Sequence, residues 1–364
     1  MHMADALLAP PVAAVMYAAS ATVAGVSIYK LKKEEKSIDE PTYKKLPTMA
    51  VMAALVFAGQ MINYTIPGTG SSGHLCGGMM LTALLGPWAG FLSMIVILAI
   101  QCLFFADGGL LALGANIWNM AFYGCFAGYF LIYRPIMQSK LLVSKGDKTA
   151  NRVKIILASI LGCVITLQLG AFSVVLETQL SGITELPFRA FAMLMQPIHL
   201  AIGLIEGLIT SAVLIFVNET RPELIKDIKL DESGRQKGSV KATLLTLTAV
   251  VLIVGGGISL LASSNPDGLE WALFGNKDAG YAENMALDEE DFGVESGASE
   301  KAQAIQEKTS FLPDYAFSFD SENPAGTTVS GIVGSAMVAG AAALVCLAGG
   351  FFRKKAKKAQ ERGK

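Results

Sequence analysis

The sequence contains the run Leu75-Cys-Gly-Gly-Met-Met-Leu-Thr-Ala-Leu-Leu-Gly86-Pro87-Trp88, which begins an apolar segment ending at Phe105. If this segment were one helix, the basic loop that follows the next span would face outward, against the rule that short Lys/Arg-rich loops stay in the cytoplasm. A break at Gly86-Pro87 restores the rule. The first half then has about 12 residues and a length of ~18 Å, too short to cross a hydrocarbon core of ~30 Å. We therefore predict a short helix buried by its neighbours, as a binding site at membrane depth requires.

The composition around this segment indicates a polytopic membrane protein. The chain has 364 residues, of which 52% are hydrophobic and 16% charged, and its mean hydropathy is +0.49. These values are too apolar for an ordinary soluble domain. We expect the lipid bilayer as its environment and no nucleic-acid partner. The five cysteines form no CxxC pair, so we interpret them as small buried apolar residues.

The charged loops before the central segment set the orientation of the N-terminus. A first span at about Ala9–Tyr29 precedes a loop rich in lysine, which we predict to be cytoplasmic. A second span, at about Leu46–Ile66, returns the chain to the outer side. The N-terminus and the loop Pro67–His74 then share that side. Because Met1–Leu8 lacks the basic start of a signal peptide, we expect the α-amine of Met1 to be free.

The remaining apolar segments complete nine spans, with the C-terminus in the cytoplasm. Further spans are predicted at about 110–133, 153–176, 188–217, 242–262 and 329–352. Residues 263–327 are polar and acidic and include the run Asp288–Asp291, so we predict an extracytoplasmic loop of low order in its middle, in preference to a weak cation site. We divide the chain into a capture domain (1–220), a cytoplasmic linker (221–241), a two-span domain (242–352) and a basic cytoplasmic tail (353–364).

The first three residues carry the chemistry of a metal chelate. The α-amine of Met1, the amide nitrogen of His2 and the His2 imidazole can close a five-membered and a six-membered ring on one metal ion. His74, at the end of a Gly/Ser run, can fill the fourth in-plane position. Four planar nitrogens suit Ni(II) or Cu(II), whereas Zn(II) prefers a tetrahedron. Because Ni(II) must displace the amide proton of His2, binding should release protons and weaken at acid pH.

Other polar residues are candidates for a supporting role around the chelate. We predict that Asn116 and Asn119 face inward near the metal loop, because polar groups in membrane helices are costly, although both could simply bond neighbouring backbone. Ser72 and Asp107 are the other candidates for contact with the ligands. His199 is interpreted as a histidine bonded within the helix bundle, with Glu206 as its partner or as a packing contact.

The second span carries small residues at four-residue spacing, which let another helix approach closely. They are Ala50, Ala54 and Ala58. We predict that a partner subunit docks on this face. No Gly-x-x-x-x-Gly-Lys-Ser/Thr loop occurs in the sequence, so ATP hydrolysis by the usual phosphate loop is not expected of this chain.

Several motifs together resemble the substrate-capture M component (NikM/CbiM) of nickel and cobalt energy-coupling-factor (ECF) transporters, with a second block similar to the small N component. The motifs are Met1–Leu8, the Gly68–Gly78 loop, Asp107–Met120, Asn265–Trp271, Pro313–Tyr315 and Gly331–Gly334. The resemblance implies an all-α fold, in which a seven-helix M-type bundle (a six-helix ECF S-component core plus an extra N-terminal helix) precedes two further spans. It also implies metal ligation by Met1, His2 and His74, and no catalytic residue or bound organic cofactor.

The resemblance further implies separate cytoplasmic ATPase subunits and a transmembrane coupling (T/Q) subunit in a prokaryotic cell membrane. The start Met-Ala-Asp-Ala after His2 resembles nickel members, since cobalt members usually carry Gly and Pro there. We therefore expect Ni(II) as the transported substrate, with Co(II) uptake for cobalamin biosynthesis as the alternative. Two rival functions are a copper carrier and an intramembrane serine protease that uses Ser72 and His199.

Overall fold

The computed structural model describes residues 1–37, 46–140, 148–183, 185–228, 239–277, 293–294, 296–321 and 323–362. Three sequence predictions concern residues outside these ranges, in whole or in part. They are the acidic run at 288–291, the middle of the linker at 229–238 and the last two residues of the tail. The side chains of the tail from 345 onward are also outside the description.

Helices dominate the described chain, and the fold is that of an all-α polytopic membrane protein. In chain order the helices are α1 (Pro10–Ser37), α2 (Leu46–Gln60), α3 (Gly78–Leu85), α4 (Pro87–Phe105), α5 (Leu113–Asn116), a π-helical continuation (Ile117–Tyr133), α6 (Arg134–Gln138), α7 (Lys148–Leu180), α8 (Phe188–Thr220), α9 (Val240–Gly256), α10 (Gly268–Phe274), α11 (Gly297–Thr309) and α12 (Ala325–Arg362). Six described helices are long and apolar enough to cross a membrane, and α2 is a shorter apolar helix. We call α1–α8 the first block and α9–α12 the second block.

The break predicted in the central apolar segment lies at Gly86. This residue joins α3 to α4 with φ 86° and ψ 164°, a conformation that side chains disfavour. Pro87 occupies the first turn of α4, where its missing N–H costs nothing. The eight residues of α3 span only ~12 Å. They are almost entirely buried, and α3 packs against α4 and the π-helical segment.

The second span is shorter than the sequence suggests. Helix α2 ends at Gln60, and the chain then forms a two-stranded hairpin in which β1 (Tyr64–Ile66) pairs antiparallel with β2 (Ser71–Gly73). Gly68 and Gly70 in the connecting turn have φ of 77° and 70°. Glycine adopts these angles readily, which explains why the apolar segment stops short of Ile66 as a helix. The hairpin carries the chain directly to His74.

The alanine stripe of α2 packs within this chain. Ala54 is 5% exposed and Ala58 is fully buried, while Ala50 is half-buried. Helix α2 packs mainly against α9 and α12 of the second block. Small residues permit close helix contact, but here the neighbouring helices belong to the same chain. The predicted docking of a partner subunit on this face is therefore wrong for Ala54 and Ala58 in this arrangement.

Helices α7 and α8 form the most extensive helix pair in the first block. A Cβ atom added at Gly203 would lie 2.8 Å from the Cα of Val164, and one at Gly207 would lie 2.6 Å from the Cα of Ile160. The two glycines therefore let the helices touch backbone to backbone. The outer face of α7 exposes apolar side chains at three- and four-residue spacing, as expected of a surface in lipid: Val153, Leu157, Leu161, Ile165, Leu169, Phe172 and Leu176.

The second block closes over the end of the first block that holds the N-terminus. Helices α9 and α12 pack on α2, and α12 also contacts α4. The described part of the polar loop between them contains α10 and α11, whereas residues 278–292, in the part predicted to be of low order, lie outside the described residues. Helix α10 contacts β2 and α8, and α11 contacts α4 and the 3₁₀ turn Asp5–Leu7. These contacts place the polar loop beside Met1, His2 and His74.

Candidate metal centre

The N-terminal segment lies along the turn after α4 and the start of α5. The backbone N–H of Met3 donates to Oδ1 of Asn116 (2.7 Å), and Nδ2 of Asn116 donates back to the Met3 carbonyl (3.2 Å). The same carbonyl accepts the N–H of Gly109 (2.9 Å). Asn116 therefore bonds backbone, as one of the two interpretations from the sequence proposed. Through Met3 it fixes the position of the adjacent His2.

Asn119 lies one turn further along and contacts a carboxylate that the sequence analysis did not select. Its Nδ2 donates to Oε2 of Glu177 (2.7 Å) and approaches the sulfur of Met3 (3.6 Å). Glu177 is buried. It belongs to α7, which continues to Leu180 and so extends beyond the predicted end of the span at Leu176. Asn119 thus contacts the side chain of Met3 and none of the nitrogens of the predicted chelate.

His2 is buried beside Asp107, with its imidazole Nδ1 3.0 Å from Oδ1 of that residue. Burial lowers the pKa of His2 to about 4, although the Asp107 carboxylate acts in the opposite direction. The imidazole is therefore neutral near pH 7, and the contact requires Nδ1 to carry its single proton. The other nitrogen, Nε2, is buried with no hydrogen-bond partner among the described residues. A six-membered ring with the His2 amide needs Nδ1, so loading that chelate requires Nδ1 to leave Asp107.

His74 follows β2 and stacks on His2, with ring centroids 5.3 Å apart and planes inclined by 20°. Its Nδ1 lies 3.0 Å from the Leu75 carbonyl. Because that oxygen can only accept a hydrogen bond, Nδ1 carries the proton, and Nε2 is the nitrogen left to bind a metal. Residues Cys76 and Gly77 are held by Glu206, whose carboxylate oxygens accept their backbone N–H groups at 2.8 and 2.9 Å. Glu206 is therefore an anchor for the His74 loop and not a partner of His199.

Asp267 of the second block joins these elements and was missed by the sequence analysis. Its Oδ2 lies 3.1 Å from the Met1 amine and 3.7 Å from Nε2 of His74. Burial by itself would raise the pKa of Asp267, but the N-terminal ammonium group and His74 hold that pKa well below its ordinary value. Asp267 and Glu270 form a helix-capping box at the start of α10. Because this local role already accounts for an aspartate at this position, the sequence gives no indication of the contact with Met1.

Tyr315 of the second block contacts the other carboxylate of the site. Its hydroxyl donates to Oδ2 of Asp107 (2.5 Å). Asp314 and Tyr315 have φ of 49° and 60°, values that are uncommon outside glycine. In addition, Nε2 of Gln306 in α11 donates to the Gly108 carbonyl (2.7 Å). The second block thus provides one of the two carboxylates near the predicted ligands, that of Asp267, and contacts the other, that of Asp107, through Tyr315.

Ser72 and His199 do not form a nucleophile and base. The Ser72 hydroxyl donates to the Asn265 carbonyl (2.8 Å), and the Ser72 N–H donates to the Pro266 carbonyl (2.8 Å). Nδ1 of His199 bonds the Met195 carbonyl within α8 (2.8 Å). Ser72 therefore ties the His74 hairpin to the second block. Neither contact supports serine-protease chemistry.

The arrangement brings the Met1 amine and two imidazoles to one buried place that also holds two carboxylates. Among the residues that the structure describes, no three His, Cys, Asp or Glu side chains are grouped so as to hold a metal ion. A metal here would therefore depend on main-chain nitrogens, namely the amine and the His2 amide. Nitrogen donors of this kind favour Ni(II) and Cu(II) over oxygen-seeking cations.

Comparisons with known proteins divide the chain in the same place as the two blocks. A family model described as the cobalt uptake substrate-specific transmembrane region matches residues 2–224. A second, described as the PDGLE domain, matches residues 241–349.

Individual relatives agree with these matches. The putative fused nickel transport protein NikMN of Archaeoglobus fulgidus is 31% identical over 93% of this chain and 95% of its own length. The cobalt transport protein CbiM of Sorangium cellulosum is 28% identical over 63% of this chain and 96% of its own length. A crystal structure of a truncated transition metal transporter is 34% identical, covers 60% of this chain and 99% of that chain, and superposes with a TM-score of 0.49.

Proposed function

Because the chain belongs to the CbiM family of substrate-specific transmembrane components, fused to a PDGLE domain, we propose that it captures Ni(II) for uptake into the cell. Transport by binding, without catalysis by this chain, agrees with the names of the two relatives above, which are a nickel and a cobalt transport protein. The observation that carries the proposal is the convergence of the Met1 amine, His2 and His74. His74 lies far from Met1 and His2 in sequence, and together the three residues offer the nitrogen donors that nickel prefers.

In the proposed site the metal is bound by the Met1 amine, the His2 amide and imidazole, and His74. Oxygen-seeking Mg(II) and tetrahedral Zn(II) are disfavoured by such a donor set. Ni(II) with one deprotonated amide carries a net single positive charge. Asp107 and Asp267 lie beside the same nitrogens and can balance that charge inside a mostly buried site. Co(II) is the alternative substrate, and the name of the Sorangium cellulosum relative supports keeping it in the test.

Uptake needs energy that this chain is not expected to supply. We propose that a transmembrane coupling subunit and cytoplasmic ATPase subunits complete an energy-coupling-factor importer. The N-terminus and His74 loop face outward, and the C-terminus faces the cytoplasm, in keeping with the positions of the basic loops. Since Ala54 and Ala58 are buried within this chain, we propose that the coupling subunit docks on another face.

A metal-competition uptake assay tests this function. Cells that lack other nickel importers would express the chain with its proposed coupling and ATPase subunits, and uptake of radioactive nickel would be measured with and without excess Co(II) or Zn(II). We expect nickel uptake that needs all subunits and resists zinc. Preferential cobalt uptake would assign the site to cobalt. Uptake that is unchanged in His2→Ala and His74→Ala variants would contradict the proposed site.

A further inference from the structure

Asp267 uses its two carboxylate oxygens for different purposes. Oδ1 accepts the backbone N–H groups of Leu269 (2.7 Å) and Glu270 (3.0 Å) and so caps the start of α10. Oδ2 instead faces the first block, 3.1 Å from the Met1 amine and 3.7 Å from Nε2 of His74. A helix cap needs only the first oxygen. The position of the second oxygen therefore calls for another explanation.

The backbone around Asp267 is fixed against the first block. The Pro266 carbonyl accepts the N–H of Ser72 (2.8 Å), and Nδ2 of Asn276 donates to the Gly70 carbonyl (2.7 Å). Gly268 lies so close to α8 that an added Cβ would be 3.1 Å from Cδ1 of Ile202 and 3.2 Å from Cε1 of His199. Oδ2 thus occupies a defined place relative to the His74 hairpin.

A fixed contact with the Met1 amine should favour chelation, because this amine would otherwise be a free terminus. A free terminus must lose conformational freedom before it can chelate, which weakens binding. The contact between the ammonium group and Oδ2 is charge-assisted and lies in a site where the Asp267 side chain is only 17% exposed. One oxygen atom therefore binds the Met1 amine at a point 3.7 Å from a second proposed ligand nitrogen, Nε2 of His74, before any metal arrives.

We propose that Asp267 is a positioning residue for metal capture, which holds the Met1 amine beside Nε2 of His74 in the metal-free chain, so that the cation can bind between them. This inference rests on the proposed nickel-capture function. It assigns a specific task to the second block, namely to preorganise ligands that all belong to the first block. An amine bound to a metal keeps N–H groups, so Oδ2 can still accept a hydrogen bond after loading.

The test uses substitutions that keep the helix cap. Asn and Ser are both good caps, so Asp267→Asn and Asp267→Ser retain the Oδ1 contact and remove the negative Oδ2. Glu270→Gln is the matched control, because Glu270 accepts only the Asp267 N–H within the same capping box and glutamine can do the same. Nickel affinity and the visible absorption spectrum would be measured by titrating Ni(II) into the full chain with a native N-terminus. Thermal unfolding would establish that each variant is folded.

We expect both Asp267 variants to bind nickel about 10- to 100-fold more weakly, the usual effect of losing a group that orients ligands, with Glu270→Gln unchanged. At saturating nickel the absorption band should keep its wavelength. Unchanged affinity in both variants would overturn the inference, and so would a shifted band, which would make Asp267 a ligand. If the unmodified chain itself bound no nickel, the proposed function would fail, a result distinct from equal binding by chain and variant.

Discussion

The two stacked histidines of the site are held in opposite ways. His74 is oriented through Nδ1 by the Leu75 carbonyl, so its Nε2 already faces the site. His2 is held through Nδ1 by Asp107, and Nδ1 is the atom that the proposed chelate requires. The His74 side is therefore preset for metal, since the Asp267 oxygen lies beyond hydrogen-bond distance of its Nε2, whereas Nδ1 of His2 must leave Asp107 before it can bind the cation. This difference indicates which contacts should affect binding and which should affect the metal-free state.

The largest expected effect is on the preset side. His74→Ala removes one of four proposed ligands and should weaken nickel binding by more than about 100-fold, beyond the loss usual for groups that only orient ligands. Glu219→Gln is the control, since Glu219 is an exposed residue paired with Arg152. Isothermal titration with Ni(II) would measure both. Equal losses in the two variants would contradict the assignment of His74.

The next effect concerns the proton balance of His2 in the metal-free chain. The pKa of His2 is about 4 in the folded protein and about 6.5 when unfolded. Between these values the unfolded chain binds more protons, so folding stability should fall as pH decreases from about 6.5 to about 4, by up to about 3 kcal/mol. Thermal unfolding at several pH values would show this decrease in the parent chain. A decrease of the same size in His2→Gln would contradict the assignment to His2.

A smaller effect is expected from the anchor of the His74 loop. Glu206→Gln turns one of two accepting oxygens into a donor that faces a buried N–H, which should cost about 1 to 3 kcal/mol of folding stability. Glu219→Gln is a matched change on the same helix, at an exposed carboxylate paired with Arg152. An exposed pair contributes at most about 1 kcal/mol. Equal shifts in melting temperature for the two variants would argue against the anchoring role.

The smallest effect on stability and nickel affinity is expected at the contacts around His2, the histidine that must leave Asp107 to bind metal. Tyr315→Phe removes the hydroxyl that donates to Asp107, and because Asp107 is 23% exposed, water can replace it. We expect a stability loss of about 1 kcal/mol and a change in nickel affinity of less than about threefold. Tyr129→Phe removes a similar Tyr–Asp hydrogen bond away from the site. A large loss of affinity in Tyr315→Phe alone would mean that the hold on His2 controls binding.

Sequence reasoning predicted the parts of the fold that depend on local pattern and charge. Hydropathy indicated the membrane class, and the basic loops placed the break at Gly86-Pro87. The hairpin at Tyr64–Gly73 was missed because three-residue strands carry almost no periodic signal. The alanine stripe of α2 signals close helix contact but does not identify the neighbouring helix, which belongs to the same chain.

The site was predicted as far as metal chemistry constrains it. The chelate rules select Met1 and His2, and the structure places His74 against His2. They say nothing about the carboxylates. The contact between Met1 and Asp267 spans 266 positions. In the sequence, a role as helix cap is enough to account for Asp267. Such long-range contacts depend on packing, which a single sequence does not reveal.

The central claim, that the chain captures nickel through its own amino terminus, is tested most directly by metal content. Nickel and cobalt would be measured, with the visible absorption spectrum, in purified protein with a native N-terminus, in His2→Ala and in a version with one residue added before Met1. We predict one nickel ion per chain with a planar-nickel absorption band, both lost in the two altered proteins. Stoichiometric nickel that survives the added residue would contradict the claim, because the Met1 amine would then not be a ligand.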